Sequence, residues 1–232
     1  MNRFLKHTSM AMMMMVISIT SLYAQEKAKV FNLKKGQTLD FILLNNKPGN
    51  EALRKRYFEL AFPIAFAAGY NRLPSFKIVG NPLKGNYHPG AIIPGMWNTF
   101  SSRESFLEQV LPVIPDFYQM RREIWSTFNV VYFDLQEDIS FSVEGDKHYT
   151  ITAIWLNDSA TLNASVDKWQ KQLKTSKGKD ILLLSGGKSP AGYMYAPDVF
   201  ILTEWDNEDA VSMQTSAMDA KAMRHIQQWK IN

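Results

Sequence analysis

The stretch Trp97-Asn98-Thr99-Phe100-Ser101-Ser102-Arg103-Glu104-Ser105-Phe106 is echoed by Leu202-Thr203-Glu204-Trp205-Asp206-Asn207-Glu208-Asp209-Ala210-Val211. In this alignment Phe100 falls on Trp205, Glu104 on Asp209 and Phe106 on Val211. Each copy reads as a strand running into the start of a helix. Working outward, Leu44-Asn45-Asn46 closes a strand in the first half as Leu156-Asn157-Asp158 does in the second. Two copies of one strand-helix-strand-strand-helix unit account for the length better than one irregular domain.

Within the first copy, Thr38 to Leu44 has strand character and Lys47-Pro48-Gly49 is a turn. Asn50 is placed to cap a helix in which Leu53, Tyr57, Leu60 or Ala61, Ile64 and Ala68 recur at helical spacing. Phe76 to Val79 and Ile92 to Phe100 are the next strands. Ser101 with Glu104 reads as a capping box, and Pro112 and Pro115 must break the helix it opens. Asn129 to Leu135 closes the unit as a β-branched and aromatic strand. In the second copy, His148 to Leu156 alternates between a Tyr149, Ile151, Ala153, Trp155 face and a His148, Thr150, Thr152, Ile154 face. Leu162, Val166, Trp169 and Leu173 mark a helix, and Ile181 to Leu184 and Val199 to Trp205 are strands. A last helix capped by Asn207 is expected to turn Val211, Thr215, Met218, Ala222 and Trp229 inward.

Both halves therefore predict an α+β fold of two tandem ferredoxin-like β-α-β-β-α-(β) units, residues 25 to 135 and 136 to 232. The offset between copies sends the closing strand of the second unit beyond Asn232. That unit is expected to lack a full last strand, with Lys29 to Lys34 or Ile139 to Val143 covering the open edge. The first half carries an excess of basic side chains and the second an excess of acidic ones, which favours association of the copies.

Arg3 and Lys6 precede an apolar run from Met10 to Leu22, and Ala24 is a small residue at a cleavage point. Residues 1 to 24 thus read as a signal peptide, and the protein as exported, periplasmic or secreted. Its removal takes two basic groups and no acidic one from a net charge of +4, so the basic character is slight. Lys168, Lys171, Lys174, Lys177 and Lys179 form the solvated face of one helix, and no nucleic-acid track is present. With no cysteine, disulfides do not contribute. After residue 25 nothing is long and apolar enough to cross a membrane as a helix.

The strand-helix pair in both halves, an aromatic residue followed by Ser/Asn-x-Glu/Asp-Ser/Ala and a helix, resembles the dimeric α/β-barrel superfamily that contains antibiotic-biosynthesis-type monooxygenases. The resemblance implies two plaits packed sheet to sheet. Here both lie in one chain, so a monomer acting as a pseudo-dimer is expected. Asn157, Trp205 and His225 look like the Asn, Trp and His set of the haem-degrading monooxygenases in that superfamily. The resemblance implies an iron-binding role for His225, with Trp205 shaping the macrocycle and Asn157 near the distal oxygen. Without it, Trp205 is core, Asn157 caps a turn and His225 edges an apolar stripe.

Read from the residues themselves, no cofactor is called for, and His88, His148 and His225 have no metal-ligand spacing. His148, Thr150 and Thr152 are expected to face the space between the sheets and, with Tyr193 and Tyr195, to line a small-ligand cleft. Tyr87, His88 and Trp97 make a weaker version in the first half. Arg121 and Arg122 suit an anion, although a solvated helix end is the preferred reading. The function expected is binding or cofactor-free transformation of a small organic molecule in the second half. The alternative is a non-catalytic scaffold or partner-binding module.

Overall fold

The computed structural model describes residues 28–211 and 223–232. The expected signal peptide and Thr215, Met218 and Ala222 lie outside these. Strands β1 (Lys29–Leu33) and β2 (Thr38–Asn46) lead to helix α1 (Glu51–Ala67), then to β3 (Tyr70–Arg72), β4 (Phe76–Lys84) and β5 (Ala91–Trp97). Helices α2 (Phe100–Val110) and α3 (Phe117–Ile124) are separated where Pro112 and Pro115 interrupt the chain. Strands β6 (Trp125–Asp134), β7 (Ile139–Val143) and β8 (His148–Leu156) precede helix α4 (Leu162–Ser176). Strands β9 (Gly178–Ser185), β10 (Val199–Trp205) and β11 (Met223–Ile231) complete the order.

The main sheet runs β6-β2-β5-β4-β11-β8-β10-β9, with β3 paired to β5. Each half repeats one antiparallel order, fourth strand, first, third, second, which is that of a ferredoxin-like plait. The halves join where β11 pairs with β4. At the far edges, Tyr132 of β6 and Lys188 exchange both backbone hydrogen bonds, at 2.9 and 3.0 Å. That bridge brings the two ends of the sheet together. Between the half-sheets lies an apolar interior in which Phe41 stacks on Phe200 with ring centroids 4.4 Å apart. The fold is the intramolecular α/β-barrel.

Several expectations need correction. The last strand of the second unit is present: Met223–Ile231, expected as helix, is β11 and pairs with β8 along its length. Trp229 therefore points into the barrel interior from a strand. The segments expected to cover the open edge, β1 and β7, pair with each other as a separate ribbon. Its Phe31, Leu33 and Val143 are buried in the barrel interior.

The faces of β8 are the reverse of those expected. Tyr149, Ile151, Ala153 and Trp155 face the barrel interior, whereas Ile154 and Leu156 pack under α4 with Trp169 and Trp205. Thr150 and Thr152 lie on this helix side, fully buried and bonded to Trp205 Nε1 at 2.9 Å and Gln228 Nε2 at 3.0 Å. Both faces of the strand are covered, so its alternation carries no inside-outside signal.

Helix α2 is capped by Thr99, whose side chain accepts from the Ser102 N–H, rather than by Ser101. Glu104 is thereby freed to accept from the Tyr132 hydroxyl. Asn50 makes no side-chain cap but donates to the Glu123 and Ile124 carbonyls, tying α1 to α3. Asn207 caps as expected, accepting from the Ala210 N–H at 2.9 Å.

Candidate functional site

The site is built where α1 crosses the first half-sheet. Tyr57, Ala61 and Ala65 recur every fourth residue and form the buried stripe of α1. Two of the three are alanines. The short side chains of α1 leave unfilled space beside the sheet, a cavity of about 490 Å³. Its walls include Phe58 and Phe62 of α1, Ile42 and Leu44 of β2, Ile93 and Trp97 of β5, and Phe106, Trp125 and Phe128. Such a volume with mainly apolar walls is in the range of small-molecule sites.

One end of the wall is polar. Asp40 of β2 is 2 % exposed and accepts from Trp97 Nε1 at 2.9 Å through Oδ2. Arg103 Nε lies 3.2 Å from the same oxygen, close enough for charge pairing but not aligned as a hydrogen bond. The Arg103 guanidinium rests over the Tyr132 and Trp97 rings. Asp40 Oδ1 is buried and has no hydrogen-bond partner. Burial raises the Asp40 pKa, and the Arg103 charge and the Trp97 bond offset this only in part. Tyr70 crowds the same spot: a Cβ on Gly95 would sit 2.5 Å from its hydroxyl and 2.6 Å from Asp40 Oδ1. The Tyr70 phenol is pushed up by burial and by the Asp40 charge, so it stays neutral.

Arg121 of α3 forms a second polar wall. It is 9 % exposed, donates from Nε to Tyr57 at 2.7 Å and from Nη1 to Tyr193 at 2.9 Å, and lies over the Phe117 and Phe128 rings. The reading of Arg121 as a solvated helix end is therefore overturned, since α1 and a loop of the second unit cover it. That loop reaches across the barrel: Tyr118 donates to the Ala191 carbonyl at 3.1 Å, Ser189 donates to Val130 O at 3.0 Å, and Pro190 lines the cavity.

The residues singled out in the second half are not gathered into one place. Trp205 pairs with His148, whereas Asn157 follows the opposite end of β8. At roughly 3.3 Å per residue the strand separates them by about 30 Å. His225 is exposed on β11, paired with Trp155 near the Asn157 end. Trp205 is core, 1 % exposed. This set does not fit haem, because Trp205 and Asn157 lie at opposite ends of β8 and His225 stands exposed on the neighbouring strand. His88 and His148 are also exposed, and no histidine lines the cavity. Of the expected cleft residues, Thr150 and Thr152 are bonded under α4 and Tyr195 is buried in the barrel, bonded to Gln227 at 3.0 Å. Tyr193 alone reaches the cavity region, through Arg121.

Sequence reasoning missed Asp40, Tyr70 and Arg103. A carboxylate inside the apolar run Thr38 to Leu44 was the available signal, since such a residue is almost never buried without a partner or a task.

Among solved structures the chain is similar to chlorite dismutase from Candidatus Nitrospira defluvii in complex with imidazole. The two are 10% identical with a TM-score of 0.50, over 86% of this chain and 92% of that one. An anthrone oxidase-like protein is 11% identical with a TM-score of 0.46, over 87% of this chain and 94% of that one. No protein-family model matches the sequence, and no curated protein matches it. At this identity the likeness is one of fold, the dimeric α/β-barrel with both units in a single chain.

Proposed function

We propose that this protein binds a small, mostly apolar organic molecule between α1 and the first half-sheet, and that Asp40 exchanges a proton with it without a cofactor. The observation that carries this reading is the buried, unpartnered Oδ1 of Asp40 on the wall of an otherwise apolar cavity. A buried acceptor with no partner costs about 1–3 kcal/mol unless something bonds to it. A hydroxyl of a bound molecule meets that need, and a carboxyl with a raised pKa is suited to pass a proton in either direction.

The test is a fluorescence titration of the full chain with a fused-ring phenol, 2-naphthol, read on the tryptophans Trp97 and Trp125 of the wall. Saturable quenching is expected, and Ala61→Phe or Ala65→Phe, which fill the cavity from α1, should abolish it while the far-UV circular dichroism is kept. Quenching that survives both variants sinks the reading. The scaffold alternative predicts no saturable quenching in the parent protein. We also propose export, on the charged and apolar pattern of residues 3 to 24.

A further inference from the structure

The cavity wall carries more positive charge than the protein supplies a counter-charge for. Arg54, Arg72, Arg103 and Arg121 line it, against the single carboxylate of Asp40. Arg103 is paired with that carboxylate. Arg54 and Arg72 are open enough to water to be solvated. Arg121 has less of either remedy, with the Asp40 charge acting on it only at longer range and little access to water. It is nine-tenths buried, and among the described residues no carboxylate forms an ion pair with it.

Its partners are two phenols, and only Nε and Nη1 are engaged by them. Burial raises the Tyr57 phenol, so that hydroxyl stays neutral and cannot balance the charge. The guanidinium itself remains charged, because an arginine side chain does not give up its proton in a protein and both phenol oxygens accept from it. Aromatic faces at 4.1 and 4.3 Å from Phe117 and Phe128 soften the desolvation and hold the fork in one plane. A buried charge is retained at such cost only with a partner. A planar, pre-oriented guanidinium with Nη2 bonded to no acceptor among the described residues suits a planar anion that takes two N–H groups at once.

We propose that the molecule bound in this cavity is an amphiphilic monoanion, an aromatic carboxylate, with its carboxylate on Arg121 and its ring system along the apolar wall towards Asp40. The inference rests on the cavity reading above and adds the charge and orientation of the ligand. Tyr193 then acts as a positioning residue that brings the second unit into contact with the anion site.

The test compares 2-naphthoate with its neutral isostere 2-naphthamide, by calorimetry on the full chain. Naphthoate should bind at least tenfold more tightly than the amide, and Arg121→Met should remove that preference. Arg121→Lys, which keeps the charge but not the fork, should weaken naphthoate while still favouring it over the amide. A readout independent of variants is the Arg121 Nε–H resonance, held by Tyr57, which should shift with naphthoate and not with the amide. Equal affinity for the two probes overturns the anion inference and leaves the cavity reading intact. Saturable binding by neither overturns both, and an unmoved Nε–H resonance during naphthoate binding overturns the placement on Arg121.

Discussion

Trp97 and Trp205 hold the same place in the two units. Each ends the third strand of its plait, and each donates its indole N–H across the sheet at 2.9 Å to the first strand. The acceptor stands two residues beyond the one paired with the tryptophan, Asp40 past Thr38 and Thr150 past His148. The duplicated geometry thus survives with its chemistry changed. Two residues before the tryptophan, Gly95 lets Tyr70 and Asp40 close over the strand in the first unit, whereas Thr203 takes that place in the second and bonds to Asp180. Six residues after it stand Arg103 and Val211. The first copy keeps a charged, open site and the second has become packed.

That contrast predicts opposite results from one substitution. Trp205→Phe should lower stability by about 1–3 kcal/mol, since it leaves the Thr150 hydroxyl buried without its donor, and should leave ligand binding unchanged. Trp97→Phe should raise the Asp40 pKa further and change 2-naphthol affinity. Urea unfolding and carboxyl carbon NMR read the two effects.

For Asp40 the sign of the pH dependence follows from its raised pKa. The folded protein holds this proton to higher pH than the unfolded chain does, so its contribution is most favourable below the ordinary aspartate range. Stability should fall as pH rises from that range through the folded pKa. Asp40→Asn should flatten this part of the Tm profile, and an unchanged slope would refute the assignment.

Asp180 offers a second titration, separate from the cavity. Its Oδ1 accepts from Trp169 Nε1 at 3.2 Å and Thr203 Oγ1 at 3.0 Å, its Oδ2 is buried without a partner, and burial lifts its pKa to about 6. Between about pH 4 and about 6 the unfolded chain loses this proton and the folded one keeps it, so stability falls by on the order of 2–3 kcal/mol. Asp180→Asn keeps the two accepted bonds and carries no charge. It should raise Tm at neutral pH and have little effect near pH 4.

Gly95→Ala tests the polar end of the wall, where Tyr70 and Asp40 close over the glycine. The added methyl meets the Tyr70 ring at 2.3 Å and Asp40 Oδ1 at 2.6 Å. Displacing both should cost about 1–3 kcal/mol, as overpacking does, and weaken 2-naphthol binding severalfold more than a control Gly36→Ala. Equal affinity for the ligand in both variants would place the site elsewhere.

The processing expectation is checked by intact mass. Protein from its native host should begin at Gln25 or close to it. A chain starting at Met1 in a membrane fraction would refute cleavage.

The plait order was legible because the helix breaks at Pro112 and Pro115 and the strand runs each carry strong local signals. The register of the repeat was not. The echo aligns Phe100 with Trp205, whereas the structurally matching aromatic is Trp97, three residues earlier, and the other pairs of the echo shift with it. The site moved for a related reason. Which copy keeps a cavity depends on Ala61 and Ala65 standing over the sheet on α1, and neither is unusual alone. His225 and Trp229 read as helical from sequence because Met223 to Ile231 mixes polar and apolar residues without clean alternation. Pairing with both β4 and β8 decides their state.

The place of β11 has a consequence for biosynthesis. During translation the first unit emerges whole, with its helices and four strands, yet its β4 edge has no neighbour until β11 arrives. Every element of the second unit must leave the ribosome before that edge is closed, so the two halves cannot mature one after the other as independent domains usually do. For that interval the nascent chain presents an unpaired strand flanked by apolar surface, which is the kind of segment that pairs with other chains. Closure of that edge therefore waits on synthesis of Met223–Ile231.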